Sequence, residues 1–387
     1  MGAQFGYGLG WTLILSYPLM SAIQEASAKI GRVTGKGLAT NIVQTFPRWM
    51  AYVVCLLLLI ANTINIAADL GAMAAALKLL VGGPQLVYVI GFGVVSGVLI
   101  TFVSYERYAN LLKWMCLSLF AYVATVFVVD LPWRDVAREL FLPRLSANSA
   151  YITAVVAVFG TTISPYLFFW QASQEAERQL EKPAEKPLTE KPSQAPRELG
   201  RIKIDTYLGM ALSNLIGLFI IFTTAATLHA HGHTTIQTSS EAAEALRPIA
   251  GVFAFAIFAA GIVGTGMLGV PVLAGSAAFV LCGVLEREAG LARRPGEAPL
   301  FYGAIAAVIG LAIVLNLIHI DPIKALFWSA IVNGFAAVPI MALIMILSTS
   351  RKIMKDFVLS PVVRTLGWFA TAFMAAVCVA MVVGLFL

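Results

Sequence analysis

The stretch Gly160-Thr161-Thr162-Ile163-Ser164-Pro165-Tyr166 decides the fold, because it interrupts the middle of an apolar run, 151–173, long enough to cross a bilayer. Pro165 offers no amide proton to the carbonyl four residues back, and its ring clashes with that carbonyl, so the backbone near Thr161 is freed. With a glycine before it and hydroxyls around it, the stretch reads as a broken helix whose unwound carbonyls face a cavity. Secondary transporters build ion sites from discontinuous helices of this kind. An ordinary proline kink, with Ser and Thr bonding back to their own helix, is the competing reading of the same residues.

The composition around that stretch is that of a membrane protein. Of 387 residues, 59% are apolar and 12% charged, with a mean hydropathy of +0.86; soluble domains carry about 25% charged residues. Windows of about 20 residues give ten spanning segments, near 7–28, 50–77, 85–104, 109–129, 151–173, 205–228, 249–284, 300–318, 323–348 and 365–386. The seventh is rich in Gly and Pro and is expected to bend or end early. The fold class is all-α and polytopic, a single transmembrane transporter domain over 1–387.

Most of the 26 Lys and Arg residues fall in the loops after segments one, three, five, seven and nine, which the positive-inside rule makes cytoplasmic. The net charge of +6 is thereby explained by topology, and nucleic acid is not expected as a partner. The same topology puts residue 1 outside with no helix to carry it there, so one spanning helix is expected to be missing ahead of segment one. Residues 174–203 hold three Glu-Lys-Pro triplets and read as a flexible, charged, Pro-rich cytoplasmic loop between two helical halves.

Polar groups inside the apolar segments carry the chemistry. Asn62, Asn65 and Asp69 follow at spacings of three and four, sharing one helical face that lines either a polar pathway or a helix contact. Asn333 could complete a hard-cation shell with its carbonyl oxygen or simply pack between helices. Glu25, beside Gln24, Ser27 and Lys29, reads as a helix-end polar cluster. Glycines 261, 264, 266, 269 and 275 read as close helix packing. His229, His231 and His233 ligate a metal only on an extended backbone, and His319 is a lone loop residue. Cys55, Cys116, Cys282 and Cys378 are scattered through apolar runs, as core residues are. No Walker A, Rossmann, HExxH or Ser-His-Asp pattern is present, so no enzyme and no bound cofactor is expected.

The run from Gln24-Glu25-Ala26-Ser27-Ala28-Lys29-Ile30-Gly31 through Arg32 to Leu38 closely resembles the end of the second helix of the Nramp family of divalent-metal transporters. The stretch from Ala67 through Asp69 to Gly82-Gly83-Pro84 is similar to its third helix, and Ser164-Pro165-Tyr166 falls where the family has Met-Pro-His. The resemblance implies a LeuT-type inverted repeat in which the ten segments are family helices two to eleven, the absent first helix being the one that supplies an acidic metal ligand. Three departures stand out. Ser164 replaces a soft thioether with a hard oxygen; Tyr166 replaces the histidine tied to proton coupling and does not titrate near neutral pH; and Ile66 stands where the family has the partner acid of Asp69.

Together these imply secondary transport of Mg²⁺ or Mn²⁺ with weak or absent proton coupling, similar to the Nramp-related magnesium branch. The expected ligands are Thr161, Ser164 and Asn333. Asp69, Asn65, Asn62 and Tyr166 line the pathway or couple to it, and Pro165 breaks the helix. The partners implied are the divalent ion and the lipid bilayer, with no obligate protein partner, in what reads as a bacterial plasma membrane. The alternatives are a proton-coupled Mn²⁺/Fe²⁺ transporter, a LeuT-type carrier of a small organic substrate, and an inactive truncated fragment.

Overall fold

A computed structural model of the protein describes residues 1–103, 114–182, 184–236, 238–318 and 321–384. These are helical, with no strand among them. In chain order the principal helices are α1 (Gly10–Thr34), α2 (Leu38–Thr45), α3 (Arg48–Val81), α4 (Gln85–Phe102), α5 (Phe120–Val128), α6 (Trp133–Phe141), α7 (Ser149–Thr162), α8 (Pro165–Glu181), α9 (Ala195–Thr227), α10 (Ser239–Glu244), α11 (Ala254–Val284), α12 (Pro299–Leu315), α13 (Pro322–Thr349) and α14 (Pro361–Gly384).

Eight helices or helix pairs among the described residues are long and apolar enough to span a bilayer, and a ninth span forms if the bent pair Trp114–Val128 and Trp133–Phe141, at 119°, is taken as one. The first sequence segment, α1, falls outside that set because its inner half carries Gln24, Glu25, Lys29 and Arg32. Its partners explain why it is helical all the same: α1 is packed by α8, α9 and α14 and its inner half is almost wholly buried. The seventh segment runs as one continuous helix, α11, with Pro271 inside it, so it does not end early. Residues 109–113 of the fourth segment lie outside the described residues.

Helix α3 is the axis of the molecule, packing on α11, α13, α12 and α4. Two apolar cores flank it. One joins α1, α7, α13 and α14; the other joins α3, α11 and α12. Leu59, Tyr166 and Leu281 touch both cores, so the start of α8 lies at their seam.

The charged stretch 174–203 is more ordered in its chain path than its composition suggests. Gln174–Glu181 continue α8, Ala195–Lys203 begin α9, and Leu188 between them is fully buried. The amides of Leu188 and Thr189 donate to the carbonyls of Arg32 and Val33 at 3.3 Å each, strapping this segment to the end of α1. Composition signalled solvation here because it counts charges without seeing their partners.

Candidate functional site

The sequence break is a structural one: α7 ends at Thr162, Ile163 and Ser164 leave the helical track, and α8 restarts with Pro165 in its first turn. Proline is well placed there, since a first-turn amide has no helical partner to lose. Ser164 is 2% exposed, and its hydroxyl reaches the carbonyls of Gly160 at 3.0 Å and Thr161 at 2.9 Å. The second of these is the carbonyl that Pro165 leaves without an amide. One hydroxyl proton serves two acceptors, so the lone pairs of Ser164 Oγ remain open. Thr162 bonds back to Val158 and Phe159, whereas the Thr161 side chain is exposed and has no partner among the described residues.

Gly160 brings the end of α7 against α13. A Cβ there would overlap the Ala330 carbonyl and crowd the Gly334 amide, so glycine is required by the contact itself. Beside Gly334, Asn333 is 3% exposed and trades amide hydrogen bonds with Asn65 of α3: Asn65 Nδ2 donates to Asn333 Oδ1 at 2.9 Å and Asn333 Nδ2 donates to Asn65 Oδ1 at 3.1 Å. One turn away, Asn62 Nδ2 donates to the Leu273 carbonyl of α11 at 2.8 Å, and its Oδ1 is buried with no partner. Farther along the same face, Asp69 is half-buried opposite Gly269 of α11 and has neither hydrogen bond nor ion pair among the described residues.

The expected residues therefore fall around one junction of α3, α7, α8, α11 and α13, with Thr161 and Ser164 at the break and Asn333 joined to Asn65 beside it. Tyr166 follows the break, its carbonyl accepting from Ser276 of α11 at 2.9 Å. The structure also ties to the break two residues that the sequence offered only as part of a helix-end polar cluster. Gln24 and Ser27 of α1 donate to the carbonyls of Leu167 and Phe168 in the first turn of α8, at 3.3 and 2.6 Å. A side chain bonding to a helix carbonyl leaves no trace in one sequence, although polar residues packed along the inner half of α1 were a visible hint.

Three other candidates sort out clearly. His229 and His231 sit in a short helical turn and bond to the carbonyls of Ala3 and Thr227; among the described residues no three His, Cys, Asp or Glu side chains are grouped to hold a metal. His319 lies outside the described residues. Of the α11 glycines, Gly264, Gly266 and Gly275 have no room for a Cβ against Met115, Met73 and Trp170, which is close packing, while Gly269 leaves ordinary contact distance to the Asp69 carboxylate.

Comparison with known proteins matches residues 1–384 to the family described as natural resistance-associated macrophage protein-like, Nramp. A crystal structure of the Eremococcus coleocola manganese transporter in complex with an aromatic bis-isothiourea substituted compound superposes with a TM-score of 0.78 at 16% identity, over 100% of this chain and 82% of that one. A mutant of the same transporter gives 0.77 at 17% identity, with the same shares covered. Mhp1, a nucleobase-cation-symport-1 family transporter, gives 0.56 at 14% identity, over 99% of this chain and 90% of that one. At these identities the likeness is one of fold, the polytopic LeuT-type fold.

Proposed function

The chain belongs to the Nramp family, and from that premise we propose that it carries divalent metal cations, Mg²⁺ or Mn²⁺, across a bacterial plasma membrane by alternating access. The observation that carries the reading is the break at Ile163–Ser164, seated against α13 beside the Asn65–Asn333 pair. Family membership and the manganese-transporter likeness support the divalent class. The donors at the junction narrow it: hydroxyl, carbonyl and amide oxygens without sulfur suit hard cations, and Mg²⁺ keeps several of its waters in such a site.

In this mechanism Thr161 presents its carbonyl, Ser164 its hydroxyl oxygen and Asn333 its amide oxygen, directly or through a water. The arriving ion takes over acceptors that the Ser164 hydroxyl and the Asn65 amide hold in its absence. Pro165 keeps the helix open, and Tyr166 forms a wall. Without a titrating histidine, entry is driven by the cation gradient and the membrane potential, about 2.3 kcal/mol per charge per 100 mV.

Proteoliposomes carrying a pH dye and loaded with Mn²⁺ or Mg²⁺ outside test this. Metal uptake without stoichiometric H⁺ influx is expected, and no uptake of either ion refutes the transport reading. A proton-coupled Mn²⁺/Fe²⁺ transporter is the second reading, favoured by the unpartnered Asp69 carboxylate, and stoichiometric H⁺ influx would establish it. Ser164→Met should raise preference for Mn²⁺ or Cd²⁺ over Mg²⁺; unchanged selectivity would put Ser164 off the ion's path.

A further inference from the structure

At the end of the molecule that the positive-inside rule makes cytoplasmic, a groove of about 440 Å³ opens between α1, α9 and α14, away from the break, lined by Glu25, Lys203, Tyr207, Ser360, Ile204 and Val362 among others. Glu25 is 4% exposed, and its one hydrogen-bond partner among the described residues is the Tyr207 hydroxyl, which donates to Oε2 at 3.0 Å. Lys29, one turn on, is near enough to feel the Glu25 charge, but its ammonium donates to the Val358 carbonyl at 3.1 Å and makes no ion pair among the described residues, so no cation contacts the carboxylate directly. Lys203, exposed in the same groove, is likewise unpaired. The N-terminus of α14 completes this side, with Ser360 Oγ accepting from the Val363 amide at 3.4 Å and its own proton left to donate. One buried acid and one base thus share a groove without meeting.

The walls say what kind of ligand reaches them. Ile204 and Val362 are 67% and 68% exposed, and Leu208, one turn further along α9, is 59% exposed. These faces are apolar and belong to two helices long and apolar enough to cross a membrane, so an occupant that matches them has hydrocarbon as well as two opposite charges. We propose that the groove binds an inner-leaflet phospholipid with a primary ammonium headgroup, its ammonium on Glu25 and its phosphate against Lys203, Ser360 and the N-terminus of α14. The assignment follows from pairing. The ammonium supplies proton donors to a carboxylate and to the Tyr207 oxygen, the phosphate meets a lysine and a helix N-terminus, and the acyl chains run along Ile204 and Leu208. A bare divalent cation fits less well, since a single carboxylate among apolar walls offers few oxygens.

Native mass spectrometry of the full-length protein with equimolar ethanolamine, choline and glycerol phospholipids tests the assignment. The ethanolamine lipid should be retained about tenfold over the choline lipid, whose quaternary nitrogen donates no hydrogen bond. Glu25→Gln should abolish that preference, whereas Lys203→Gln should weaken retention of all three lipids and leave the ratio. Equal retention of ethanolamine and choline lipids by the unaltered protein overturns the proposal whether or not the Glu25 variant folds. So does a preference that survives Glu25→Gln in folded protein. Soluble phosphoethanolamine should displace the lipid poorly; displacement at equal concentration would mean that the apolar walls bind nothing, and would overturn the lipid assignment.

Discussion

Two polar regions lie inside this apolar chain, and they are finished differently. Around Arg32, at the end of α1, the charges are paired. Arg32, fully buried, pairs with Glu185 at 2.9 Å and reaches Glu198 at 3.9 Å; Arg178 pairs with Glu185 at 3.1 Å; Arg201 bonds Glu175 at 2.5 Å and Glu198 at 3.2 Å. Only the Arg32 Nε and Gln179 Oε1 atoms are left over. Along α3 the reverse holds: among the described residues the Asn62 oxygen has no donor and the Asp69 carboxylate has no cation. Burying an unpaired polar group costs stability, so a folded chain keeps one where something else uses it. The paired cluster thus reads as structure and the unpaired stripe as function, and four substitutions can break that contrast.

The largest effect is expected at Arg32. Arg32→Ala removes the cation between two acids and leaves a cavity, and breaking a buried pair from one side costs about 3–5 kcal/mol. Thermal unfolding in detergent should show a large drop, with Arg32→Lys recovering part of it. A melt within error of the unaltered protein would show that the strap over α1 contributes little to the fold.

Gly160 comes next, because the contact it permits belongs to both regions' logic: tight packing that holds a polar junction in place. In Gly160→Ala the new methyl meets the Ala330 carbonyl, which is backbone and cannot rotate away. Overpacking of this sort costs about 1–3 kcal/mol, and here it also pushes α7 from α13. The expected result is a moderate fall in melting temperature with a disproportionate loss of metal uptake. Loss of stability with uptake intact would place the ion elsewhere than the α7–α13 junction.

How much of this contrast was visible in the sequence follows from the range of the signals. The break was legible because proline acts on the carbonyl four residues behind it, and the Asn62–Asn65–Asp69 stripe because helical periodicity is local. The partners were not. Asn65 meets Asn333 across 268 residues, and Arg32 meets Glu185 across 153; with neither in view, Asn333 read equally as ligand or glue, and residues 174–203 read as solvated. Family resemblance aligned the break but did not supply the Asn65–Asn333 contact. It did nothing for the second, since Glu175, Glu185 and Glu198 look like any acids of a charged loop until Arg32 and Arg201 are placed among them.

A smaller effect should appear in the pH dependence of the paired cluster. Burial pushes the Glu185 carboxyl up, but the Arg178 hydrogen bond and the charges of Arg178, Arg32 and Lys182 outweigh it and hold the group below its ordinary value of 4.5. A carboxylate with a lowered value stabilises the fold above the unfolded value and loses that contribution as pH falls through the folded one. The melting temperature of the unaltered protein should therefore exceed that of Glu185→Gln near neutrality, and the gap should close below pH 4.5. A gap that widens on acidification would reverse the sign of the pairing.

The smallest change in stability is expected where the sequence looked most ominous, at Asp69. Asp69→Asn keeps the shape and removes a charge that no described group partners, so the melt should move by less than about 0.5 kcal/mol, or rise slightly as an isolated charge disappears. Uptake tells the rest. If Asp69 attracts the cation or passes a proton, Asp69→Asn loses transport or its pH dependence while the fold is unharmed, the opposite of the Arg32→Ala outcome. Asn62→Leu is the companion measurement, because it too removes an unmet acceptor, although it also gives up the hydrogen bond to Leu273. A large destabilisation by Asp69→Asn would mean that the carboxylate is held by contacts after all. The division between paired structure and unpaired function would then fail at its clearest example.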